Sequence, residues 1–131
     1  MAQRKVNPWK WQDQFAFSQA VEVSGATRTL YCAGQTSVDG EGQPMHAGNM
    51  SAQVDQAFQN LATVLEAAGF ALSDVVRLNY YTTDVDRFFQ AHDVVKRHLG
   101  HSGSQPAGVL LGVARLAFPD LLVEIEATAA K

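Results

Sequence analysis

The chain is poor in cysteine, in positive charge and in long apolar runs. Cys32 is the single cysteine among 131 residues, so no disulfide can form within the chain. The 10 Lys and Arg residues are outnumbered by 13 Asp and Glu residues, which leaves a formal net charge of -3. This balance provides no broad basic field and argues against a nucleic-acid partner. No apolar run approaches the roughly 20 residues of a membrane-spanning helix.

The opening segment, MAQRKVNPWKWQDQ, has no apolar signal core, so we expect a cytoplasmic protein with no membrane partner. Hydrophobic residues make up 47% of the chain, which is enough for one core at this length. Low-complexity stretches and internal repeats are absent. We therefore expect a single domain over residues 1–131.

The first half of the chain predicts two strands followed by a helix. Two extended segments, Phe15–Val23 and Thr27–Val38, are separated by a short turn, which predicts an antiparallel hairpin. Apolar residues then recur at spacings of three and four from Met50 to Ala68, as on one face of a helix. Asn49 or Ser51 can cap this helix.

The second half predicts a strand over Val75–Tyr81 and a second helix that Asp84 caps and Gly100 ends. Two further strands are expected near Ala107–Val113 and Leu121–Ala129, joined as a hairpin. The order β, β, α, β, α, β, β predicts an α+β fold with both helices on one face of a mixed sheet. The other face would meet water unless another subunit covers it, so we expect a closed homo-oligomer.

The last strand carries the candidate catalytic group. Side chains alternate across a strand, so Val123 and Ile125 point to one face while Glu124 and Glu126 point to the other. A carboxyl group buried at an interface can have a raised pKa and act as a general base or hold a water molecule. The alternative for Glu124 is a strand residue paired with a lysine or arginine across an interface.

Three stretches of the chain resemble the reactive intermediate deaminase family (RidA, also called YjgF), often named endoribonuclease L-PSP. They are Phe17–Gln19 with Tyr31–Gln35, Leu65–Gly69 with Asp74–Arg77, and Val113–Leu116 with Val123–Ala127. The resemblance implies a chorismate-mutase-like fold, assembled as a homotrimer around a central barrel with ligand clefts between subunits. It also implies hydrolysis of reactive enamines and imines to ammonia and a 2-keto acid, with no metal and no organic cofactor.

The same resemblance implies a set of site residues. Glu124 corresponds to the carboxylate that positions water, and Gly34 to a glycine whose backbone contacts the ligand. The other substrate-binding positions are Phe17, His92, Gly108, Val109 and Leu110. The family has a tyrosine at the position of Phe17 and a cysteine at the position of Leu110. Gly108 follows Pro106-Ala107, where the family has an arginine that clamps the substrate carboxylate. Losing such a buried charged partner costs about 2 to 5 kcal/mol.

The chain therefore resembles a branch of the family that lacks the clamp arginine. We expect it to bind a small, relatively apolar metabolite, and to have little or no 2-aminoacrylate deaminase activity. On this hypothesis it is a hydrolase or deaminase acting on C=N bonds; the alternative is a non-catalytic binding or regulatory trimer. Arg115 could partly replace the clamp or could hold the neighbouring loop. Ribonuclease activity is disfavoured because no basic groove and no histidine pair suited to acid–base cleavage are evident.

Overall fold

The computed structural model describes residues 1–131 and contains seven strands and three helices. Two 3₁₀ turns, at Trp11–Phe15 and Leu72–Asp74, connect them. The elements in chain order are β1 (Ala2–Val6), β2 (Ala20–Ser24), β3 (Thr29–Tyr31), β4 (Gln35–Thr36), α1 (Met50–Ala67), β5 (Val75–Thr82), α2 (Val85–Gln90), α3 (His92–Ser102), β6 (Leu110–Gly112) and β7 (Val123–Ala130).

Five of the strands form one mixed sheet, in the order β3-β7-β5-β6, with β4 also paired to β7. The central strand β7 is antiparallel to β3, β4 and β5, whereas β6 runs parallel to β5. The parallel pair needs a long crossover, and the segment containing α2 and α3 supplies it. The prediction of an α+β domain with a mixed sheet is thus confirmed.

Both predicted hairpins are wrong. β2 pairs with β1 in a separate two-stranded sheet, and β3 pairs instead with β7. The segment AQRKV was missed as a strand because its polar residues show no apolar alternation. The predicted strand Phe15–Val23 begins too early, because Phe15 is the last residue of a 3₁₀ turn and Ala16 ends that turn with a φ of 60°. β6 and β7 are likewise not neighbours, because β5 lies between them.

The helices begin where the sequence predicts. The Asn49 side chain accepts a hydrogen bond from the backbone N–H of Ala52, and Asp84 caps α2 in the same way. The predicted second helix is divided at Ala91 into α2 and α3. It continues past Gly100 and ends at Gly103, which takes the left-handed conformation with a φ of 69°. None of the helices is long and apolar enough to cross a bilayer.

The core lies between the helices and one face of the sheet. Val123, Ile125, Ala127 and Ala129 of β7 are buried in it. Glu124, Glu126 and Thr128 point to the opposite face and are half-buried, which confirms the predicted alternation. We call this second face the open face of the sheet. It leaves Tyr31 80% exposed in the single chain.

Candidate functional site

The predicted site residues lie in two separate groups on the chain. Phe17, His92, Gly108, Val109 and Leu110 line one pocket. Gly34 and Glu124 contact each other outside it, on the open face of the sheet. A single chain therefore does not place Glu124 among the other predicted ligand-binding residues.

The pocket has a volume of about 380 Å³, and nine of its eleven lining residues are hydrophobic. It is formed by the N-terminal 3₁₀ turn and the residues after it, the helix side of β5, helix α2, the start of α3 and the segment leading into β6. We call it the aromatic pocket, because six of its residues are Trp11, Phe15, Phe17, Tyr80, Phe88 and Phe89. Trp11 is 53% exposed at its mouth, so the pocket is open to solvent.

His92 is surrounded by phenylalanine rings. Its ring centroid lies 6.0 Å from those of Phe15 and Phe88, in edge-to-face geometry, and 6.2 Å from that of Phe89. Burial lowers the pKa of His92, and the positive charge of Lys96 lowers it further. The imidazole is therefore neutral near pH 7, and one ring nitrogen can accept a hydrogen bond while the other donates.

Tyr80 provides the second polar group of the aromatic pocket. Alternation along β5 turns Leu78 and Tyr80 to the helix side, and the Tyr80 ring lies 5.4 Å from that of Phe88. Burial raises the pKa of the Tyr80 hydroxyl, which stays protonated at physiological pH. No side-chain hydrogen bond within the chain engages the Tyr80 hydroxyl or the His92 imidazole.

Sequence reasoning missed part of this pocket. Four aromatic residues lie within nine positions from Trp9 to Phe17, and all but Trp9 line the pocket. Tyr80 was recognised only as a strand residue. The alternation of β5 was a signal for its direction, but the elements that would pack beside it were not evident from the sequence.

Gly108 lies where the chain passes closest to β5. The carbonyl oxygens of Ala107 and Val109 accept hydrogen bonds from the N–H groups of Leu78 and Tyr80, at 2.9 and 2.8 Å. A Cβ atom at position 108 would lie 1.8 Å from the carbonyl oxygen of Leu78. Only glycine fits this backbone geometry, so no side chain reaches the pocket from position 108.

Glu124 lies on the open face between β4 and β5, where it pairs with Thr36 and Tyr81. Gly34 approaches it closely: a Cβ atom on Gly34 would lie 2.7 Å from Cδ of Glu124. Burial raises the pKa of Glu124, and the nearby carboxylate of Glu126 raises it further. Glu124 can therefore hold a proton more readily than an ordinary glutamate.

The pKa of Glu126 is shifted in the opposite direction, downward. Its carboxylate accepts hydrogen bonds from the Tyr81 hydroxyl and, at 3.2 Å, from Nδ2 of Asn79. The Tyr81 hydrogen bond is the main cause that lowers the pKa of Glu126, followed by that of Asn79. The surroundings of the two carboxyl groups of β7 thus shift their pKa values in opposite directions, so that Glu126 is ionised and Glu124 is more easily protonated.

Within one chain, Arg115 lies away from the aromatic pocket. Its Nε donates to the carbonyl oxygen of Leu116 at 3.2 Å, and the side chain is exposed and does not line the aromatic pocket. No lysine, arginine, aspartate or glutamate lines that pocket.

Comparison with known proteins identifies the family. The family model described as endoribonuclease L-PSP matches residues 12–131. The chain belongs to this family, which is also called YjgF or RidA. Its structural neighbours in the family have the chorismate-mutase-like fold, as the resemblance predicted.

Three relatives illustrate the similarity. A RutC family protein of Pyrococcus horikoshii is 36% identical over 115 residues, which are 88% of this chain and 86% of that protein. The 2-iminobutanoate/2-iminopropanoate deaminase of Mus musculus is 34% identical over 113 residues, 86% of this chain and 79% of that protein. The crystal structure of YyfB, a Rid family protein of Yersinia pestis, is 36% identical, covers 100% of both chains and has a TM-score of 0.88.

Proposed function

We propose that the protein is a homotrimer that binds a small metabolite in clefts between subunits and hydrolyses a C=N bond there, using water held by Glu124. The observation that carries this proposal is the environment of Glu124, a half-buried carboxyl group with a raised pKa packed against Gly34. Kinship with a mouse imine deaminase supports the reaction class.

The separation of the two residue groups supports a cleft between subunits. One chain holds Glu124 and Gly34 on the open face, and the aromatic pocket opens elsewhere. A second copy packed on the open face would add its own aromatic pocket to the first copy's carboxyl group. It would also cover the Tyr31 ring and the Leu111 side chain, which are exposed on that face.

The chemistry needs few groups. A water oxygen attacks the imine carbon, a C–O bond forms, and the π electrons of the C=N bond pass to nitrogen. Glu124 accepts a proton from the attacking water and returns it to nitrogen, which gives a carbinolamine. The hydroxyl proton of the carbinolamine then passes through the same carboxyl group to the amino nitrogen. The C–N bond breaks as the C=O bond forms, so that ammonia leaves and a carbonyl compound remains. A raised pKa suits both steps, because the same carboxyl group must take up a proton and then release it.

Gly108 argues against a small amino-acid-derived substrate. It occupies the position where the resemblance implies a carboxylate-clamping arginine, and no cation lines the aromatic pocket. The absent clamp corresponds to a loss of roughly 30-fold to several-thousand-fold in binding. We therefore expect purified protein to release little ammonia from freshly generated 2-aminoacrylate, and robust turnover would contradict the role given to Gly108.

Two measurements test the proposal itself. Sedimentation equilibrium should give a mass three times that of the 14.2 kDa chain. Imines and enamines of larger, apolar carbonyl compounds should release ammonia with the wild-type protein and not with Glu124→Gln, although the variant still binds them. A monomer, or turnover that is unchanged in Glu124→Gln, would refute the cleft or the role of Glu124.

A non-catalytic binding trimer is the second candidate. The observation that favours it is the aromatic pocket, which has no charged lining residue and has the composition of a binding site. In that case Glu124→Gln would leave both ligand binding and every hydrolytic assay unchanged. Nuclease activity is disfavoured, because a net charge of -3 gives weak electrostatic affinity for a phosphate backbone.

A further inference from the structure

The aromatic pocket has the composition of a site for a flat, uncharged molecule. Aromatic rings approach it from the 3₁₀ turn, from β5 and from α2, and they meet in edge-to-face or tilted pairs. Such rings offer faces and edges on which a planar ligand can stack. Nonplanar ligands of equal volume would make fewer of these contacts.

The lining that one chain supplies disfavours carboxylate ligands. A carboxylate entering the pocket would lose its hydration and find no lysine or arginine of the same chain to replace it, and Glu124 of the neighbouring copy would repel it. The polar groups that do line the pocket are the Tyr80 hydroxyl and the neutral His92 imidazole, and neither is engaged by another side chain. Both can donate to a neutral oxygen or nitrogen atom of a ligand.

The size of the pocket agrees with a one- or two-ring compound. A cavity of roughly 150 Å³ lined by apolar side chains accommodates benzene. The volume of about 380 Å³ here leaves room for a substituted ring or a fused pair of rings.

We infer that the aromatic pocket binds an uncharged aromatic or heteroaromatic compound with one hydrogen-bonding substituent, which Tyr80 and His92 recognise. This inference deepens the proposed function, on which it rests for placing the pocket beside Glu124 in an intersubunit cleft. It names the substrate class of that cleft as the imine or enamine of a ring-bearing carbonyl compound. Binding itself requires no catalysis, so it can be tested alone.

Trp11 provides a direct probe of binding, because it lines the pocket. The second tryptophan, Trp9, lies outside the pocket and is exposed, so Trp9→Phe leaves Trp11 as the single indole reporter. Titration of this variant with benzamide should change its fluorescence and reach saturation. Benzoate, which has nearly the same shape and one negative charge, should bind at least about tenfold more weakly. Cyclohexanecarboxamide, which keeps the amide and loses the flat ring, should also bind more weakly.

Single-atom changes in the protein test the recognition of the substituent. Tyr80→Phe keeps the ring and should weaken benzamide binding about fivefold to tenfold, with little effect on toluene, which has no hydrogen-bonding group. Ser73→Ala removes an exposed hydroxyl outside the pocket and should change neither affinity. Circular dichroism melts of both variants establish that they are folded.

The inference is overturned if benzoate binds as well as benzamide, or if Tyr80→Phe affects both ligands equally. It is also overturned if a crystal structure of the assembled protein shows a partner side chain filling the pocket. Its failure is distinguishable from that of the proposed function. Benzamide binding without hydrolysis of any C=N substrate would contradict only the catalytic proposal. Hydrolysis of small aliphatic imines without benzamide binding would contradict only the assignment of an aromatic ligand.

Discussion

Replacing Gly108 by alanine should destabilise the fold far more than its small size suggests. The added Cβ atom would lie 1.8 Å from the carbonyl oxygen of Leu78, which belongs to the backbone of β5 and cannot rotate away. To reach an acceptable contact the two backbones must separate by at least about 1 Å, a shift that overpacked sites accommodate only with strain. The substitution therefore disrupts the pairing of β5 with the segment leading into β6, and not the pocket alone.

The magnitude follows from what that separation disrupts. Overpacking costs about 1 to 3 kcal/mol. The hydrogen bonds from Leu78 to Ala107 and from Tyr80 to Val109 flank the contact, and each contributes about 1 kcal/mol when well formed. We expect the free energy of unfolding to fall by about 3 kcal/mol, which corresponds to a decrease of roughly 10 °C in Tm at this chain length.

Urea unfolding and thermal melts followed by circular dichroism measure the effect. Gly40→Ala is the matched control, because no atom lies within 4 Å of the Cβ position at Gly40 and its backbone is not in the left-handed region. It should remain within about 0.5 kcal/mol of the wild-type protein. Gly108→Arg should be destabilised like Gly108→Ala and should gain no affinity for 2-keto acids. Wild-type stability of Gly108→Ala would refute the close approach to β5.

Three further predictions concern the open face and the first helix. Glu124→Gln should be more stable than the wild type above pH 4.5, because a raised folded-state pKa means that the wild type loses stability as pH rises through that pKa. The difference should vanish at lower pH in urea titrations, and a difference that grew on acidification would contradict the raised pKa. Gly34→Ala should push the Glu124 carboxyl group towards solvent and lower its pKa in an NMR titration, with little loss of Tm because the side chain can move. An unchanged Glu124 pKa would count against the contact. Asn49→Ala should cost about 1 kcal/mol by removing the cap on Ala52, whereas Ser51→Ala should cost almost nothing; equal losses in urea unfolding would show that the cap assignment is mistaken.

Local patterns in the sequence determined the parts of the structure that depend on neighbours along the chain. The period-two alternation of β7 placed Glu124 and Glu126 opposite the core, and the spacing of apolar residues gave α1 its buried face. The family resemblance, confirmed by the comparisons, further predicted the fold. Five residues that it named as ligand-binding lie together in one pocket, and their role stays a prediction. The predictions for β7 and α1 succeeded because side-chain direction within a strand or helix is fixed by backbone geometry.

Only the tertiary structure decided which strands became neighbours and what surrounds each site residue. β2 joined β1 and β6 joined β5, because the partner of a strand depends on contacts between distant segments and not on its own alternation. The same long-range packing brought the backbone of Gly108 against Leu78, assembled aromatic side chains around Tyr80 and His92, and left Glu124 on the other face of the sheet. No local pattern encodes such approaches, since they arise where separate elements meet.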